Sequence, residues 1–449
     1  MATKKKPAKK ASAKRSVKKP AKKTKDSAAK RGKSIGAPAA LSTAGAETHA
    51  PVKEKIFTRT QWTVLIVLSF VQFFHIVDFM VLMPLNKKFE LFFNITTNQF
   101  GWLVSSYTLA AFVSGIAGTF FIDRISRKRS LMLAFIGFIA GNLLCAAAPG
   151  FKSFLVARVM TGAFGGLLSG ISFAIIGDLI EPAKRGRATG ILMMSFSVAA
   201  VLGVPLGIWF AHHFFLQLPY YLIALGSGAV LILAYLRMPT MAHHLFGPRQ
   251  NVVKQIVDVM SDEKHQRLYL LMTCHFIAGF SIIPYIAGFM QKNNGITDTQ
   301  LPIIYLAGGI ATIVTSPLMG FLTDRMGPVK IYTWLSLLTT LPFILVTYEI
   351  TRNFPLLMVF TTLFFIFVSG RMVPAMALLN NTVNPSVRGT FMSLNGSVQQ
   401  LAMSLGAIAA SFIISAPPGQ PMRHYFWVGI FGVVFNTAAM LIANTFKSR

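Results

Sequence analysis

The sequence predicts an all-α membrane protein whose twelve transmembrane helices form two six-helix pseudo-repeats around a central cavity. Three observations carry this reading. Apolar residues make up 53% of the 449 positions and charged residues only 13%, and the charges fall in clusters. Twelve apolar runs follow one another, each near the ~20 residues that a helix needs to cross a bilayer. Short motifs then recur in the second half of the chain at a constant offset.

The runs lie near 62–84, 99–121, 131–148, 152–177, 189–211 and 218–238 in the first half. In the second they lie near 267–290, 301–322, 331–348, 354–379, 389–414 and 424–445. Four regions follow: a tail over 1–59, a six-helix bundle over 60–238, a linker over 239–266 and a second six-helix bundle over 267–449. Within the linker, Val252, Val253, Ile256, Val257 and Met260 fall on one helical face, the pattern of a helix lying on a membrane surface.

The repeat is visible in three places. "IDRISRK" (122–128) after span 2 is echoed by "TDRMGPV" (323–329) after span 8, an offset of 201. "EPAKRGRATG" (181–190) before span 5 is echoed by "NPSVRGTFMS" (384–393) before span 11, and Gly203 by Gly406, both at 203. Parallel repeats of this kind place a substrate site between the halves near the bilayer midplane.

The net charge of +29 is unevenly spread. Residues 1–59 hold 18 of the 43 Lys and Arg, in a Lys/Ala/Pro-rich stretch with no apolar period, so disorder is expected there. Such a tail suits contact with anionic lipid, and less well with nucleic acid. A membrane-anchored binder acting through this tail is therefore the reading from another class; deleting residues 2–55 separates it from the others. Beyond the tail, loops on the side of the N-terminus carry 17 Lys and Arg and the opposite loops six. The positive-inside rule then places both termini in the cytoplasm.

Cys145 and Cys274 lie inside apolar runs, so neither a disulfide framework nor a metal site is implied. No phosphate loop, HExxH or nucleophile elbow occurs, and an enzyme is not expected.

The motifs resemble those of the major facilitator superfamily, over residues 60–445, and most closely its twelve-span drug/proton antiporter branch with arabinose-efflux-like relatives. The loop after span 2 is similar to the signature G-x-L-x-D-R-x-G-R-K: Asp123, Arg124, Arg127 and Lys128 match, with Thr119 and Ser126 at the glycine positions. The second copy keeps Gly320, Asp324, Arg325 and Gly327. "ARVMTGAFGG" in span 4 resembles R-x-x-x-G through Arg158 and Gly162, and "LGVPLG" in span 5 resembles the antiporter signature, although Gly203, Pro205 and Gly207 alternate. The resemblance implies a secondary transporter in a bacterial inner membrane, a monomer without cofactor, exporting small amphipathic compounds against inward proton flow. Efflux of sugars or nucleosides is the alternative transporter reading.

In such a transporter spans 1, 4, 7 and 10 line the cavity, and the buried polar residues fall on them. A carboxylate at the centre of a span costs about 2.5–3.5 kcal/mol on insertion scales, so Asp78 needs a partner and a purpose. Arg158 sits at the same depth on span 4 and is the expected partner. Burial disfavours the charge of such an acid and a guanidinium favours it; their balance decides whether it titrates at cellular pH. Asp78, Arg158 and His75, one turn before Asp78, are the candidate proton-coupling residues. Arg371, His275, Phe79 and Met80 are candidates for the substrate cavity. Asp123, Arg124, Arg127, Asp324 and Arg325 are expected to latch the cytoplasmic loops, and Gly203, Pro205 and Gly207 to form a gate in span 5.

Overall fold

The computed structural model describes residues 57–121, 125–181, 184–241, 252–349, 351–384 and 387–446. The basic tail, Asp123 and Arg124 lie outside the described residues. Among the described residues twelve helices are long and apolar enough to cross a membrane, and the only β pairing is an isolated bridge between Ser415 and Arg423.

Span 1 is Arg59–Val81, continued after a 3-10 turn (Met83–Leu85) by Asn86–Phe93. Spans 2 to 6 are Thr97–Phe121, Arg127–Ala147, Phe151–Leu179, Arg185–His213 and Leu218–Arg237. Span 7 is Glu263–Phe280 with Ile283–Lys292, followed by span 8 at Leu301–Met326 and span 9 at Pro328–Thr347. Span 10 is Phe354–Gly370 with Met372–Thr382, span 11 Arg388–Ile413 and span 12 Tyr425–Asn444. The face that carries the start of span 1 is called near, and the opposite face far.

Several boundaries depart from the sequence reading, each for a local reason. Span 1 was expected to run to residue 84 with a loop beyond. Its first helix instead stops at Val81, because Pro84 offers no N–H to the ladder. The chain then resumes as a helix that buries Phe89 and Glu90. Span 10 was expected to be continuous, but it is interrupted at Arg371, where the ring of Pro374 displaces the carbonyl four residues back. Span 7 starts at Glu263 rather than 267, because the Asp262 side chain caps it by accepting from the amides of Lys264 and His265. Those two bonds, that to His265 first, hold the Asp262 carboxyl below the usual carboxylate range.

The linker helix, Val252–Ser261, exposes three residues of the expected stripe, Val253, Val257 and Met260. Val259, one heptad after Val252 and so at the edge of that stripe, is buried and with Ile256 packs the helix on the second half.

The repeat reappears as packing. A Cβ on Gly203 of span 5 would stand 2.2 Å from Val77 of span 1, and one on Gly406 of span 11 would stand 2.9 Å from the Ile277 carbonyl of span 7. In each half the glycine therefore lets its span close on the span that begins the half. Gly207 does the same one turn further on, against Val81. A π-turn at Ala199–Gly203 precedes Pro205 and absorbs the hydrogen bond that the proline cannot make.

The halves meet along spans 2 and 11, where Ser105 and Ser404 donate to each other's carbonyls at 3.3 and 3.2 Å. Nearer the far face, Asn98 of span 2 donates to Ser411 of span 11 at 3.1 Å. Spans 5 and 8 also cross closely, with Gly309 against Val201.

Candidate functional site

The carboxylate of Asp78 accepts a hydrogen bond from Arg158 Nη1 at 3.1 Å, and both side chains are fully buried. Glycines make this geometry possible. A Cβ on Gly162, one turn after Arg158, would lie 2.2 Å from the Tyr107 carbonyl, so spans 2 and 4 touch backbone to backbone. That approach sets the ring of Tyr107 under the guanidinium, 4.3 Å from its centroid. Span 1 is pressed in from the other side by Gly203 and Gly207, whose contacts with Val77 and Val81 flank Asp78. Of the three positions expected to form a gate in span 5, Gly203 and Gly207 thus border the turn that carries the acid.

His75 lies one turn from Asp78, but its ring faces Tyr107, Phe138 and Gly165 rather than the carboxylate. Neither of its ring nitrogens has a hydrogen-bond partner among the described residues. Phe79 turns into the space between the halves. It stacks on Tyr107 at 5.3 Å and on Phe280 of span 7 at 5.9 Å. Phe280 meets Phe276 at 6.2 Å, and Phe276 meets His275 at 5.2 Å. A row of rings therefore runs from the Arg158 guanidinium across the midline to His275. Met80, beside Phe79, is half-buried against the same core.

In the second half Arg371 and His275 are enclosed in the bundle. Arg371 is fully buried, donates through Nη1 to Asn436 Oδ1 of span 12, and lies 5.3 Å from the Phe343 ring centroid. His275 Nδ1 is 3.1 Å from the Tyr332 hydroxyl. Asn436 is held in turn by donating to the Ser336 carbonyl at 2.8 Å.

The loop residues separate into two cases. Arg127 is nearly buried and its Nε donates to Asp178 Oδ2 at 2.7 Å, joining spans 3 and 4 of one half. Asp324 and Arg325 are exposed, and no hydrogen bond or ion pair joins either of them to a described residue. The ion pairs seen at the near face, Arg127–Asp178, Lys184–Glu181 and Arg267–Glu263, each stay within one half.

Sequence reasoning missed the ties at the far face. Glu90, on the extension of span 1, forms a fully buried ion pair with Lys292 at the end of span 7, and also accepts from Thr97 at 2.8 Å. His212 Nδ1 lies 2.9 Å from Asp298, without hydrogen-bond geometry, and Lys88 lies 3.8 Å from the same carboxylate. The far side is thus closed by charges drawn from both halves. The near side has no counterpart among the described residues.

Two copies of a six-span unit, tied across one face by charges from both and holding a buried ion pair inside the first, are the architecture of a membrane transporter. The family model of the Major Facilitator Superfamily matches residues 68–285 and 268–447, and the chain belongs to that superfamily. It is similar to the uncharacterized MFS-type transporter YceJ of Bacillus subtilis, 23% identical over 82% of this chain and 92% of that one. It is also similar to a probable sugar efflux transporter of Mannheimia succiniciproducens, 24% identical over 62% of this chain and 69% of that one. Among solved structures, a bacterial homologue of the human lysosomal transporter Spinster, inward-facing and unoccupied, superposes with a TM-score of 0.69 at 15% identity. That match covers 87% of this chain and 98% of the other. The protein is accordingly an integral membrane transporter and not an enzyme.

Proposed function

We propose that this transporter exports small amphipathic compounds in exchange for protons, with Asp78 as the proton carrier and Arg158 as its switch partner. The observation that carries the reading is the fully buried Asp78–Arg158 pair, beside the row of rings that joins the halves. Protonation of Asp78 releases Arg158 and favours one facing of the cavity; substrate binding favours deprotonation and the other. One proton moving inward gains about 2.3 kcal/mol per 100 mV. At about 1.4 kcal/mol per tenfold, that sustains a roughly fifty-fold gradient of a neutral compound.

A compound screen on proteoliposomes with an imposed pH gradient identifies substrates and tests the coupling. Asp78→Asn keeps an oxygen for Arg158 but cannot carry the proton, so pH-driven uphill flux should vanish while downhill exchange persists. Purified Asp78→Asn that still releases protons on substrate addition, as the unaltered protein does, would move the coupling role elsewhere. A second reading, sugar efflux, draws on the name of the Mannheimia relative. Flux of sugars but not of amphipathic compounds in the same screen would favour it.

A further inference from the structure

Spans 1 and 7 correspond through three landmarks: their first helices end at Val81 and Phe280, their second segments begin at Met83 and Ile283, and the glycines of spans 5 and 11 meet Val77 and Ile277. That register sets Asp78 of span 1 against Ile277–Ala278 of span 7, beside Gly279. Where the first half has a carboxylate, this turn of the second has only apolar side chains and a glycine.

The place is not filled by another acid. The acidic residues of the second half and its linker are Asp258, Asp262, Glu263, Asp298, Asp324 and Glu349, all in the linker helix, at span ends or in loops. Instead a cation faces it. A Cβ built on Gly279 would lie 3.9 Å from Arg371 Nη2, with Ile283 and Val368 at 3.7 Å. Arg371 is fully buried, and its Nε and Nη2 have no hydrogen-bond partner among the described residues. Its one hydrogen-bond acceptor is the neutral amide of Asn436. A buried guanidinium left with two free donors is costly, and an anion placed on them removes that cost. Arginine presents such donors as a planar fork matched to a carboxylate.

We propose that Arg371 Nε and Nη2, facing the turn of span 7 at Gly279, bind the anionic group of the transported compound, which is an organic anion with an apolar, ring-bearing body. The half-buried rings of Phe280, Phe276 and Phe79 receive that body. This inference rests on the transporter reading and adds the charge class of its substrate.

The test uses the full-length protein in detergent with three probes that share one ring system: 2-naphthoate, 2-naphthalenemethanol and 2-naphthylmethylammonium. Binding is read as a shift in thermal midpoint and as Kd by titration. Naphthoate should bind and the other two should not. Arg371→Gln should weaken naphthoate at least tenfold. Gly279→Asp supplies a carboxylate beside Arg371 Nη2; the contacts of its Cβ are ordinary, so the fold should hold while the naphthoate response disappears. Gly279→Ala, which adds the carbon without the charge, should keep that response. If Arg371→Gln does not fold, the Gly279 pair decides alone. No response to naphthoate, an equal response to all three probes, or a response that survives Gly279→Asp overturns the proposal. Failure of the transporter reading looks different: no compound of the proteoliposome screen moves with the pH gradient. Failure of this inference alone leaves pH-driven flux of cations or neutral compounds intact.

Discussion

Each half of the molecule buries one arginine completely, and the two are held in different ways. Arg158 has a carboxylate 3.1 Å away and an aromatic ring beneath it; Arg371 has only a neutral asparagine and a more distant ring, while in both Nε and Nη2 lack a hydrogen-bond partner among the described residues. The two are not equivalent positions of the repeat, since 213 residues separate them where the motifs recur at 201 and 203, but the glycines that press spans 5 and 11 onto spans 1 and 7 do repeat. The shared packing thus carries its charges differently in each half. One half keeps a titratable pair, suited to carrying a proton. The other keeps an unneutralised cation, suited to a ligand that brings its own negative charge.

The comparison breaks first on stability. Asp78→Ala strands Arg158 in the bundle without its counter-ion, and breaking a buried pair in this way costs about 3–5 kcal/mol. Asn436→Ala removes one charged hydrogen bond from Arg371, worth about 1.5–3 kcal/mol. Thermal or denaturant unfolding in detergent should therefore rank Asp78→Ala as the more damaging. The reverse order would mean that Arg371, and not Arg158, is the structural arginine.

The two faces differ as much as the two arginines. Glu90–Lys292 ties the halves at the far face, whereas the near-face pairs seen here stay within one half. Lys292→Met leaves Glu90 buried with neutral partners only, Thr97 and the backbone of Gly419, which favours the state in which the carboxylate reaches water. A cysteine at Asn86, fully buried between the halves, reports that opening. Its reaction with an impermeant maleimide from the far side should speed up about tenfold, equivalent to about 1.4 kcal/mol. An unchanged rate would show that the pair is no lock.

Hydropathy made the twelve spans legible, because the bilayer demands length and apolarity from every crossing helix. The repeated loop motifs made the two-fold architecture legible, and counting depth along spans 1 and 4 brought Asp78 and Arg158 together. The far-face lock was not legible: Glu90 follows Pro84 in a stretch that reads as a loop, and its partner lies 202 residues away. The interruption at Arg371 was signalled by Pro374, yet an apolar run of this length hides it. Asp178 escaped notice because an acid at the end of a span reads as an ordinary boundary. Neither the Asn436–Arg371 bond nor the row of rings has a sequence period, since their members come from different helices.

The smallest effects separate the two copies of the loop motif. Asp178 holds Arg127, which is almost fully buried, so Asp178→Asn should cost about 1 kcal/mol of stability. Asp324 is exposed and pairs with none of the described residues, and Asp324→Asn should stay within about 0.5 kcal/mol of the unaltered protein. Transport supplies the second axis of the experiment. If Asp324 latches the near face only after the far face opens, Asp324→Asn should leave the thermal midpoint unchanged and still slow pH-driven flux in proteoliposomes. Slow flux with an intact midpoint is the expected result, because a contact absent from the closed-far state cannot stabilise it. Unchanged flux would reduce Asp324 to a charge at a helix end and leave Arg127–Asp178 as the only working copy of the motif.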